Sequence, residues 1–77
     1  MNKERRDKLR KVVTHVDNAL ALIEEVNQGE ADAIDSIPVG LQSSYDGKAY
    51  HENLEKIDAM QSELQAMVHT LDDMLTL

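Results

Sequence analysis

Apolar residues recur at three- and four-residue spacing through most of this chain. The longest run is Tyr50, Leu54, Ile57, Met60, Leu64, Met67, Leu71 and Met74. Charged and amide side chains fill most of the gaps, which is the pattern of a helix with one dry stripe. The first part of the chain repeats it. With Leu9 called heptad position a, Leu9, Val12, Val16, Ala19, Ile23 and Val26 fill successive a and d positions, and Val13, Leu20 and Ile34 add an e flank. With Tyr50 called a, the second run has Tyr50, Ile57, Leu64 and Leu71 at a, Asn53, Met60, Met67 and Met74 at d, and Leu54, Val68 and Leu75 at e. A stripe this wide suits a helix of a bundle rather than one strand of a two-stranded seam.

The pattern predicts two long helices. The first is expected over residues 3–35. Gly29 costs roughly 1 kcal/mol against Ala inside a helix, so an end near Asn27-Gln28-Gly29 is an alternative. Continuation is favoured because Ile34 stays in phase. Pro38 sets the limit, since it disfavours the α region at Ile37. Residues 37–46 form the connection, and its Ile37, Val39 and Leu41 are expected to fold back as an apolar plug over the turn. Helix 2 is expected over about 46–76, with Ser43 or Ser44 as N-cap and Asp46 near its positive end.

Length turns this pattern into a problem of burial. A chain of 77 residues makes one domain, 1–77, and holds no cysteine to staple it. A single core of this size rarely supplies more than ~3–5 kcal/mol. Two helices meeting only each other cover part of each stripe, whereas two hairpins packed together cover both. The expected fold is therefore all-α: an antiparallel helical hairpin dimerising into a four-helix bundle. Its core and dimer packing falls to Leu9, Val12, Val16, Leu20, Ile23, Val26, Leu54, Ile57, Met60, Leu64, Met67, Leu71 and Met74.

Charge adds a polarity. The whole chain carries −7, yet residues 1–11 hold six cations against Glu4 and Asp7, a net +4, and the remainder carries −11. In an antiparallel hairpin the basic end lies beside Asp72 and Asp73, which favours that register. Either end offers a partner an electrostatic handle, with Arg5, Arg6 and Lys8 on one side and Glu52, Glu55, Asp58 and Glu63 on the other.

Reaction chemistry is not expected. His15, His51 and His69 flank the stripe, and the Glu-x-x-His spacing of carboxylate-bridged metal bundles is missing. Carboxylates need a pocket to do acid–base work, and a slim hairpin offers none. Neither a nucleophile constellation nor a phosphate loop is present. No catalytic residue, metal or cofactor is assigned. No apolar run approaches the ~18 residues of a membrane span, and the charged start does not read as a leader. A cytoplasmic protein is the expectation, without membrane contact.

The expected function is a non-enzymatic protein–protein interaction module, a self-associating helical hairpin that acts as a homodimer on another protein. The alternative is an acidic, phage-encoded inhibitor whose carboxylates occupy the basic groove of a nucleic-acid-binding host protein, such as a defence effector. A third reading, a nucleic-acid-binding accessory protein using the basic arm, ranks lower because the acidic body repels phosphate and no aromatic stacks among the cations.

One stretch carries a family likeness. The run Ala33-Ile34-Asp35-Ser36-Ile37-Pro38-Val39-Gly40-Leu41-Gln42-Ser43-Ser44, followed by Gly47 and the heptads from Tyr50, resembles small acidic helical-hairpin proteins of Gram-positive bacteria and their phages. It departs from them at Val39-Gly40, where the family's acidic pair stands. The resemblance implies a bacterial or phage setting and a structural or binding role; it brings no activity with it.

Overall fold

The computed structural model describes residues 1–41 and 45–76. Two α-helices run antiparallel, α1 (Lys3–Asp35) and α2 (Tyr45–Leu75), with a single 3-10 turn at Val39–Leu41 between them. Helix α1 opens on Asn2, which has an extended backbone and whose side-chain Oδ1 accepts the Arg5 N–H at 2.9 Å. That bond satisfies one of the donors a helix start leaves unpaired. The helix passes through Gly29 unbroken. At its other end the Ser36 N–H and hydroxyl both donate to the Asp32 carbonyl, at 3.1 and 3.0 Å. Pro38 then turns the chain, and its carbonyl accepts from the Leu41 N–H at 2.8 Å. Ser43 and Ser44, the N-cap candidates for α2, lie outside the described residues.

The molecule is a rod of 58 × 15 × 14 Å with a radius of gyration of 17.4 Å. A compact chain of this length has a radius near 11.5 Å. Its accessible surface of 5763 Å² exceeds by roughly 1,000 Å² the ~4,700 Å² of a compact monomer of this mass. Among the described residues only Ile34 and Ile57 are buried hydrophobics, at 7% and 8% exposure. Both belong to the half of the hairpin nearer the turn.

Burial gives the seam between the helices. On α1, Leu9, Val13, Val16, Leu20, Ile23, Asn27 and Ile34 are half-buried or buried; on α2, Leu54, Ile57, Gln61, Leu64, Val68, Leu71 and Leu75 are. These are a and e positions. The sequence reading puts a and d at the centre of the stripe and e at its flank; inside the hairpin the pairing runs through a and e, and d is left outside except at Ala33 near the turn. Asn27 fixes the register, because its Nδ2 donates to Gln61 Oε1 at 3.0 Å and to Asp58 Oδ1 at 2.6 Å. Stepping one heptad at a time from that pair sets Leu20 opposite Val68, Val13 opposite Leu75, and Ile34 opposite Leu54.

The connection departs from the expected plug. Ile37 turns inward, but Leu41 is exposed and Val39 is 86% exposed. A two-helix layer has no third element to receive them, and the tight turn after Pro38 rolls both outward.

Candidate interaction surface

Each helix carries two flanks beside the seam, and an antiparallel pair brings like flanks to the same side. On one side lie the d positions: Val12, Ala19 and Val26 from α1, and Met60, Met67 and Met74 from α2. All six are exposed, Met67 at 52%. Leu22, at the neighbouring g position, extends the strip and is 62% exposed. The register sets Val12 level with Met74, Ala19 with Met67, and Val26 with Met60. On the other side are the b positions, among them Asp17, Glu24, His51, Asp58, Gln65 and Asp72, all exposed and nearly all charged or polar.

The apolar flank is concave toward the open end of the hairpin. A groove of about 500 Å³ lies among Met1, Leu9, Val12 and Met74, with Arg5 and Lys8 on its rim. It is followed by one of about 600 Å³ among Val12, Val16, Met67 and Leu71, with Glu63, Ala66 and Thr70 beside it. The Thr70 hydroxyl donates to the Ala66 carbonyl at 3.1 Å. Its hydrogen bond is already made, so an apolar neighbour could cover it at small cost. Both grooves are open to solvent and lined mainly by apolar side chains.

The residues assigned to packing therefore divide. Leu9, Val16, Leu20, Ile23, Leu54, Ile57, Leu64 and Leu71 line the seam; Val12, Val26, Met60, Met67 and Met74 stand outside it. Of the candidate partner-binding residues, Arg5, Lys8, Glu52, Glu55, Asp58 and Glu63 are exposed and Arg6 is half-buried. Lys8 pairs with Glu4 at 3.4 Å and Arg10 with Asp7 at 2.9 Å, both along α1 and in solvent. Such pairs contribute at most ~1 kcal/mol and lie within α1, so they do not align the helices, whereas the Asn27 bonds and the seam do.

Sequence reasoning missed Asn27, Gln61 and Leu22. The signal for the first two was present: complementary amides at e, one on each helix. Among the described residues no three His, Asp or Glu side chains gather as a metal site, and no helix is long and apolar enough to cross a membrane. No protein-family model matches the chain, and neither a curated protein nor a solved structure does.

Proposed function

We propose that this chain is a non-enzymatic protein–protein interaction module, a helical hairpin that self-associates into a four-helix bundle and holds out a charged surface to another protein. One observation carries the reading. A continuous strip of Val12, Ala19, Leu22, Val26, Met60, Met67 and Met74 remains in solvent after the hairpin has closed. In a four-helix bundle each helix lies nearly parallel or antiparallel to two neighbours, which sit in directions roughly at right angles around it. Positions a and e serve one neighbour, d and g the other, and a and d point to the centre. The hairpin uses the first set and leaves the second unpartnered. The wide stripe in the sequence is the sum of the two.

The surface left outside such a bundle is acidic along α2, where Glu52, Glu55 and Asp58 are exposed. That suits a partner with a basic face. The test is light scattering on the wild-type chain and on Met67→Glu. The wild type is expected at twice 8.7 kDa and the variant at 8.7 kDa. A wild type that stays at the monomer mass at all concentrations defeats the reading.

A further inference from the structure

We infer that two hairpins join head to tail on the apolar flank, about a two-fold axis passing beside Ala19 and Met67, with α1 of each copy antiparallel on α1 of the other. The arrangement rests on the self-association proposed above and specifies its geometry. Three observations favour it over the alternative two-fold, in which the hairpins point the same way and α1 lies on α2 of the second copy.

The first is the charge along α1. Residues 1–11 carry +4, whereas Glu24, Glu25, Glu30, Asp32 and Asp35 crowd the last third with no Lys or Arg among them. Head to tail, the basic tip of each copy covers the acidic shoulder of the other, twice per dimer. Heptad steps from Ala19 bring Lys11 near Glu25 of the second copy and Lys8 near its Asp32. In the same-way arrangement the acidic shoulder lies beside Glu52 and Lys56 of the second copy, so a single cation per shoulder stands against it.

The second is the pairing inside the flank. Head to tail, Val12 meets Val26 of the second copy, Met60 meets Met74, and Leu22 falls beside His15. Glu63 falls beside Thr70, both of them exposed at the edge of the flank rather than set against an aliphatic side chain. In the same-way arrangement Leu22 is set on Glu63, which removes a carboxylate from water against an aliphatic side chain. The third is extent. The surplus of roughly 1,000 Å² per chain, close to the ~800 Å² per partner of a standard stable interface, supports association in either arrangement, and orientation is read from where the ends fall. Two rods of 58 Å laid head to tail also carry each exposed tip, with Val39 and Leu41, to the level of the groove at Met1, Leu9, Val12 and Met74 on the other copy.

The chain has no native cysteine, so single labels are clean. Val39→Cys, at the exposed tip, carries a nitroxide for pulsed dipolar measurement alongside solution mass. A separation near the 58 Å rod length is expected. A dimer with tips only ~20 Å apart, about two helix diameters, overturns the orientation and leaves self-association standing. A monomer mass, with no dipolar coupling, overturns self-association itself. Ala19→Cys gives a second readout. Oxidation is expected to link it into a covalent dimer, since Cβ atoms near the axis come within the ~4 Å that a disulfide needs. A dimer that does not link at Ala19 contradicts the head-to-tail geometry.

Discussion

The two flanks of the hairpin are equally exposed and chemically opposite. On the b side, Asp17, Glu24, His51, Asp58, Gln65 and Asp72 present the surface that a helix keeps toward water. On the d side, Val12, Val26, Met60, Met67 and Met74 are just as accessible, and nothing in their chemistry suits solvent. A lone two-helix rod has no reason to distinguish its flanks. Scattered exposed aliphatics are ordinary, but a contiguous strip of them marks a contact. On the proposed reading, the difference puts the second layer on one side only. Between the flanks sits a seam that buries little, so a second layer would add stability as well as binding.

The predictions test that contrast, beginning with the largest effect. Charge placed on the apolar side should be decisive: Val26→Glu with Met60→Glu is expected to weaken association by at least 100-fold, about 2.7 kcal/mol, by sedimentation. The matched change Gln65→Glu on the b side should leave it within experimental error. If both sides respond alike, the contrast is cosmetic. In the seam, Ile57→Ala should cost ~2–4 kcal/mol by urea denaturation, because Ile57 is one of the two buried hydrophobics described.

Asn27→Ala removes the bonds to Gln61 and Asp58 and is expected to cost about 1 kcal/mol. It should also loosen the register, read as a broader distance distribution between labels on the two helices. Gly29→Ala is expected to stabilise by ~0.5–1 kcal/mol in thermal melts, since a Cβ there meets nothing within 4 Å. A loss of stability at Gly29 would mean that a neighbour approaches it closely.

Much of the architecture is legible in the sequence. Two helices follow from the spacing of the aliphatic residues, and the break follows from Pro38 and the restriction it places on Ile37. The choice of flank was not legible from the stripe. Val13 and Leu20 at e are as apolar as Val12 and Val26 at d, so either set could have faced the partner helix. The complementary pair Asn27 and Gln61, both at e and bonded to each other, marks the set the seam uses. Val39 and Leu41 misled for a related reason. Their apolarity promises burial, but the layer that could bury them is not part of one hairpin. On the proposed reading, the pattern of hydrophobicity counts surface that a second copy covers, and a single chain shows only part of it.

The most direct test of the central claim is sedimentation equilibrium across a hundredfold dilution, with helicity followed over the same range. A chain whose second layer is another copy should fall from twice 8.7 kDa toward the single mass and lose helix as it does, with a melting temperature that rises with concentration. A mass of 8.7 kDa throughout, with a cooperative melt independent of concentration, would contradict it.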